Sequence, residues 1–299
     1  MRAVMIRQYG GPEVARIEDI PTPTPREGEL LIRVSAAVVG QTDSVGRQGT
    51  PAYARLFFGL RAPRTAVLGS DFAGTLPNGE RVMGGTGTGM GCHAEYVVVK
   101  ASTPMIPIPE GVSDTDAVSL LDGYLTALPF LRDGAGLKPG QRILIIGASG
   151  TVGSAAVQLA KRMGAHVTAV CSGPNAELVR GLGADDVIDY TREPLTGSYD
   201  VVFDAVGKSS FSACKKLLGA RGLYLSTVPA LGVLFGRRSK ILFTGLRKDV
   251  DKQRDLDQLF SHDLVPVIHA TYPIEQISDA YAVVDTGHKR GAVILTVRR

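Results

Sequence analysis

Apolar and polar positions follow two regimes along the chain. Over residues 1–110 the apolar positions alternate or run in short stretches, at 2–7, 29–39, 69–76, 80–83 and 94–100, which predicts β-strands. Pro21-Thr22-Pro23-Thr24-Pro25 is a stiff, extended connector that cannot join a central ladder, and Pro77-Asn78-Gly79 predicts a turn. At Ser113 the pattern turns helical. Ser113 reads as an N-cap with Asp116 in the reciprocal position, opening a helix towards Leu131. Strand and helix patterns then alternate. Strands are predicted at 142–146, 166–170, 187–188, 200–206, 223–227 and 240–244, with helices at 176–182, 211–218 and 249–260. Six strands in βαβ order predict a doubly wound parallel sheet. A helix at 274–284 and a strand at 292–297 are expected to return to the first region. The fold class is therefore α/β, with residues 116–267 inserted in a discontinuous domain made of 1–115 and 268–299.

The sharpest local pattern is RILIIGASGTVGSAAVQLAKRMG, residues 142–164. A buried strand runs into a glycine turn, and Val152, Ala155, Ala156, Leu159 and Ala160 then share one helix face up to Gly164. Free amides and the positive end of the helix dipole make this junction an anion site. Glycines let the backbone approach a pyrophosphate, so Ser149, Gly150, Thr151 and Val152 are the candidate contacts. Gly84-Gly85-Thr86-Gly87-Thr88-Gly89-Met90-Gly91 is richer in glycine, yet a strand follows it and no helix does. It reads as a flexible loop.

Composition narrows the class. In 299 residues, 33 basic against 29 acidic side chains leave a net charge of +4, too small an excess to indicate nucleic acid. No apolar run is long enough to span a membrane, so no membrane partner is expected. The first residues carry interleaved charges without an apolar leader core, and the expected location is cytoplasmic. Cys92, Cys171 and Cys214 are widely spaced and include no CxxC pair, which argues against both a disulfide framework and a thiolate zinc site. Arg237, Arg238 and Lys240 read as a solvated loop.

In a dinucleotide fold the end of the second strand meets the adenosine ribose, and an acid there selects NAD. The strand here ends in Val170-Cys171-Ser172 without a carboxylate, with Asn175 close behind. That favours NADPH, with NADH as the alternative. The crevice should lie at the carboxyl ends of the first, fourth and fifth strands, lined by Val206, Gly207, Thr227 and Val228.

Several motifs in order resemble one family across the whole chain: Val67-Leu68-Gly69-Ser70-Asp71-Phe72-Ala73-Gly74, the glycine turn, the run from Leu182 to Tyr190, Tyr199-Asp200-Val201-Val202-Phe203-Asp204-Ala205-Val206-Gly207, and Gly287-His288-Lys289-Arg290-Gly291. They are similar to the zinc-free quinone oxidoreductase (ζ-crystallin-like) branch of the medium-chain dehydrogenases/reductases. The resemblance implies a Rossmann domain inserted in a GroES-like β domain, and hydride transfer from NAD(P)H to a quinone or α,β-unsaturated carbonyl. Gly40, Ser70 and Asp122 stand at or near the positions where zinc-dependent relatives carry ligands, so no metal is expected. Gly40 also replaces the family's asparagine, and Gly173-Pro174-Asn175 replaces its basic residue. The resemblance places Tyr190 near the adenosine phosphate site, and Thr42 and Tyr53 as candidate proton donors. Tyr96-x-x-x-Lys100 mimics a short-chain dehydrogenase pair, but its three valines indicate a strand. The alternative function is an NADPH-binding redox sensor or scaffold. The edge strand 240–244 suggests a homodimer.

Overall fold

The computed structural model describes residues 1–228, 238–242 and 244–297. Its first stretch is β-rich. β1 (Arg2–Ile6) and β2 (Ala15–Asp19) form an antiparallel ribbon. β3 (Glu29–Val38) leads into α1 (Gln41–Gln48) and the short α2 (Ala54–Phe58). β4 (Asp71–Thr75), β5 (Arg81–Gly85), β6 (Tyr96–Lys100) and β7 (Met105–Pro107) follow. β6 buries Val97 and Val99 while Val98 is half-buried, the alternation of a half-covered strand. Tyr96 and Lys100 are thus spread along a strand rather than stacked on a helix. After β5 the glycine-rich stretch makes only a 3₁₀ turn at Gly87–Gly89. α3 (Asp114–Pro129) starts at the expected cap, where Ser113 Oγ accepts the Asp116 N–H (3.0 Å) and donates to the Asp116 carboxylate (2.7 Å).

The parallel sheet comes next. β8 (Arg142–Ile146), α4 (Thr151–Arg162), β9 (His166–Cys171), α5 (Ala176–Gly181), β10 (Asp186–Asp189), β11 (Tyr199–Asp204), α6 (Phe211–Cys214), β12 (Leu218–Ser226) and β13 (Ser239–Ile241) build it. Its spatial order, β10-β9-β8-β11-β12-β13, is the 3-2-1-4-5-6 order of a doubly wound dinucleotide fold. Continuous apolar strands suit it, because helices cover both faces. Leu144, Ile146, Val170, Val202 and Tyr224 form part of its core.

The chain ends with α7 (Asp249–Leu256), β14 (Ile268–Pro273), α8 (Ile277–Asp285) and β15 (Ala292–Thr296). β15 pairs antiparallel with β3 and parallel with β14, giving the sheet order β14-β15-β3-β4-β5-β7 with β6 also on β3. Tyr281 and Val284 of α8 pack with Ile32, Phe72 and Leu295 in this core. The tail thus joins the first sheet, as a GroES-like β domain interrupted by a Rossmann domain requires.

Several boundaries differ from the expectation. The compact units are Met1–Leu121 with Gly245–Asp257 and Ile268–Arg299, and Asp122–Thr244 with Gln258–Val267. Residues 245–257 therefore sit with the β unit, where the Gln253 side chain bonds both the N–H (3.0 Å) and the carbonyl (3.1 Å) of Met105 on β7. The expected helix 211–218 stops at Cys214, followed by a 3₁₀ turn, because Leu218 already pairs with Tyr199 of β11. The expected strand 240–244 is only Ser239–Ile241; Phe243 lies outside the described residues. Arg238, half-buried, and Lys240, exposed, both reach backbone carbonyls. Arg238 donates to the Gly219 and Ala220 carbonyls (2.9 and 3.1 Å) and Lys240 to that of Gly134 (2.8 Å). Arg237 lies outside the described residues.

Candidate functional site

β8 drops Gly147 into the left-handed region (φ +78°), and the chain turns back to start α4 after the extended Gly150. A Cβ on Gly153 would lie 2.1 Å from the Gly147 carbonyl oxygen, so only glycine lets the helix close onto the turn. In the first turn of α4, the Val152 and Gly153 amides have no backbone partner among the described residues. A 12-residue helix dipole points its positive end at them. This geometry fits a pyrophosphate.

Asn175 ties together the tips of the first two strands. Its Nδ2 donates to Ser149 Oγ and to Ser172 Oγ, each at 3.1 Å. Tyr190, exposed just past β10, donates its N–H to the Cys171 carbonyl (3.3 Å). Burial, and then Asp189, push the Cys171 thiol up to about 11, so it stays protonated at neutral pH. Asp189 is the carboxylate that inspection of the second strand alone missed. It comes from the end of β10, and a Cβ on Gly173 would meet its Oδ2 at 2.6 Å. The Thr191 hydroxyl and amide hold its carboxyl below the usual range.

On the other side of the turn, the ends of β8, β11 and β12 meet. A Cβ on Gly147 would come within 2.5 Å of Val206 Cγ1, and one on Gly207 (φ +66°) within 2.5 Å of Val228 Cγ2. Asp204, fully buried, organises this edge. Its carboxylate accepts N–H bonds from Val206 (3.1 Å), Gly207 (2.8 Å) and Ser209 (2.8 Å), and the hydroxyl of Tyr224 (3.0 Å). Its carbonyl accepts the Thr227 N–H (3.1 Å). Burial first, and then Asp204, push the Tyr224 phenol up, which keeps it a donor. Asp204 was missed in the sequence; an acid closing the apolar run Val201-Val202-Phe203 was the available signal. Ser149, Gly150, Thr151, Val152, Ser172, Asn175, Val206, Gly207, Thr227 and Val228 thus lie along one edge of one sheet, at the topological switch point where ligands bind in such folds.

Thr42 and Tyr53 belong to the other unit. Thr42 is exposed on the first turn of α1, whose cap is made by its neighbour: Asp43 accepts the N–H of Gly40 (2.8 Å) and of Gly69 (2.9 Å). Tyr53 is exposed just before α2. Beneath α1, buried Arg47 pairs with Asp285 (2.6 Å) and stacks on Tyr281. His93 Nε2 lies 2.9 Å from the Val38 carbonyl, which can only accept, so Nδ1 is left to accept from Tyr281 (3.3 Å). Among the described residues no three His, Cys, Asp or Glu side chains could hold a metal ion. Gly40, Ser70 and Asp122 offer one carboxylate and no thiolate or imidazole, a donor set that does not fit zinc.

A family model described as zinc-binding dehydrogenase matches residues 182–295. A chloroplastic quinone-oxidoreductase of Triphysaria versicolor is 31% identical, with 99% of this chain and 98% of that protein covered. A mitochondrial NAD(P)H oxidoreductase of Mus musculus is 32% identical over 99% and 89%. The chain belongs to the medium-chain dehydrogenase/reductase family, in its quinone oxidoreductase branch. Among solved members of that branch, the Coxiella burnetii quinone oxidoreductase superposes with a TM-score of 0.87 at 30% identity, covering 100% and 99% of the two chains. The Thermus thermophilus quinone oxidoreductase, solved also in complex with NADPH, gives 0.80 at 25%, covering 99% and 100%. No helix among the described residues is long and apolar enough to cross a membrane.

Proposed function

We propose that this chain is a zinc-independent, NADPH-dependent oxidoreductase that reduces a quinone or an α,β-unsaturated carbonyl. The observation that carries the proposal is Gly153 closing α4 onto Gly147 at the switch point of a 3-2-1-4-5-6 sheet. The Val152 and Gly153 amides would hold the pyrophosphate, while Ser149, Ser172, Asn175 and Tyr190 would meet the adenosine end. Val206, Gly207 and Thr227, held by Asp204, and Val228, held by Ser226, would back the nicotinamide. The bound cofactor supplies the hydride. Thr42 and Tyr53 would be the candidates to supply or relay the proton, which water can also deliver to a hydroquinone oxyanion. A conjugated acceptor spreads the incoming negative charge itself, which suits a chain in which Gly40, Ser70 and Asp122 stand where zinc-dependent relatives carry ligands and in which no three His, Cys, Asp or Glu among the described residues could hold a metal ion.

One observation favours NADH instead: the Asp189 carboxylate beside Gly173 would repel a 2′-phosphate. Three free, buried cysteines fit a reducing, cytoplasmic setting, and the edge position of β13 suits pairing across a two-fold axis into a homodimer. The test is loss of reduced-cofactor absorbance, with NADPH and with NADH, over a panel of quinones and enones. Turnover with NADPH preferred, unaffected by chelator and without stoichiometric zinc, is expected. Cofactor binding without turnover of any acceptor would overturn the proposal in favour of a redox sensor or scaffold.

A further inference from the structure

The segment after α1 exposes an apolar stripe. Tyr53 is exposed at the start of α2, and Leu56 and Phe57 on it and Leu60 just past its end are 65%, 74% and 66% exposed. The segment is anchored, and its orientation is built in. Ala54 is buried, and Phe58 seats on Gly46, where a Cβ would come within 2.8 Å of its ring. Gly59 (φ +134°) makes the exit turn, its carbonyl accepting the Tyr9 hydroxyl, and the Arg64 N–H returns to the Phe58 carbonyl (2.6 Å). Arg55 stacks on Tyr9 and donates to the Gly49 carbonyl (3.1 Å). The inward positions thus hold the outward ones in water.

The charge beside the stripe is one-sided. Between Asp43 and Asp71 there is no acidic residue, while Arg47, Arg55, Arg61 and Arg64 fall in that interval. Arg61 and Arg64 are exposed and have no ion pair or side-chain hydrogen bond among the described residues. Large apolar side chains held outward beside unpaired guanidiniums match the layering of an anionic bilayer surface, with phosphates above acyl chains. We infer that residues 53–64 dock the protein peripherally on anionic phospholipid. The sequence names no membrane partner because it has no crossing segment; docking needs none. The inference stands on this surface alone and goes beyond the proposed reaction, which it would bring to acceptors dissolved in lipid.

The test uses the full chain in flotation with vesicles of phosphatidylcholine alone and of phosphatidylcholine with phosphatidylglycerol. Partition onto the anionic vesicles is expected to be at least roughly tenfold greater and to fall with added salt. Leu56→Ser/Phe57→Ser/Leu60→Ser and Arg61→Glu/Arg64→Glu should each abolish it without lowering the melting temperature, since all five side chains lie outside the core. Reduction of a water-soluble quinone, run in parallel, reports the proposed reaction separately. Absence of flotation by the wild type would overturn the inference, and so would flotation unchanged in either variant. A concentration-dependent dimer that the variants dissolve, seen by sedimentation without vesicle binding, would assign the stripe to a second copy. Binding of an acidic protein with no vesicle binding would likewise overturn it.

Discussion

Two glycine-rich stretches invite the same interpretation and end in different structures. Gly147–Gly153 holds three glycines in seven residues; Gly84–Gly91 holds five in eight. The first leads into the 12-residue α4 and leaves the Val152 and Gly153 amides without a backbone partner among the described residues. The second closes only a three-residue 3₁₀ turn and passes through a left-handed Met90 (φ 54°) towards buried Cys92 and His93. Glycine content alone therefore does not make an anion site. What matters is a helix that begins where the glycines let the backbone close in.

The largest expected effect separates the two stretches. Gly153→Ala must move the Gly147 carbonyl, 2.1 Å from the new Cβ, at a cost of about 1–3 kcal/mol of stability. It should also weaken NADPH binding at least roughly tenfold, the worth of one charge-assisted hydrogen bond. Gly89→Ala meets only Thr86 Cβ at 3.6 Å and should leave both within about 0.5 kcal/mol of wild type. Chemical denaturation and fluorescence titration measure the pair. Equal losses would mean that the glycine-rich loop, too, has work to do.

Next in size is Asp204→Asn, which turns one acceptor oxygen into a donor facing amides. Loss of about 2 kcal/mol in unfolding free energy is expected, with a rise in the Michaelis constant for the cofactor larger than the fall in turnover. Tyr224→Phe removes one donor and should cost about 1 kcal/mol. Smaller still are the changes at the adenosine end. Asn175→Lys should raise the NADPH-to-NADH ratio of kcat/KM roughly tenfold by adding a phosphate partner, and Asp189→Asn should raise it about threefold by removing a repulsion. A ratio unmoved by both would put the 2′ position elsewhere.

Most of the parallel sheet was legible because its strands are buried on both faces. Ile143-Leu144-Ile145-Ile146 and Val201-Val202-Phe203 are apolar runs with little other use, and the glycine turn marks the switch point between them. The β unit was harder. α1 carries Asp43, Ser44 and Arg47 on its buried side, so hydrophobic periodicity could not reveal it. β14 alternates between exposed and partly buried positions at a sheet edge, a weak signal after Pro266. Within the site, the strand ends could be placed along the chain. The joining of Ser149 to Ser172 by Asn175, and the approach of Asp189 to Gly173, depend on tertiary proximity between separate strands.

The smallest effect concerns two thiols. Cys171 lies at the end of β9 beside the turn, and Cys92 follows the glycine-rich loop; burial raises both, Cys171 to about 11 and Cys92 well above its ordinary value. Both are protonated at neutral pH, and alkylation should be slow there and quicken as pH climbs towards about 11 at Cys171 first. Saturating NADPH should slow the labelling of Cys171 and leave Cys92 unchanged, as mass spectrometry of the labelled peptides would show.

The most direct measurement is amide hydrogen exchange of the two glycine stretches with and without NADPH. Slowed exchange at Val152 and Gly153, with residues 84–91 unchanged, is the predicted result. Protection confined to 84–91, or none in either stretch at saturating NADPH, would contradict the assignment of the cofactor to the β8–α4 turn.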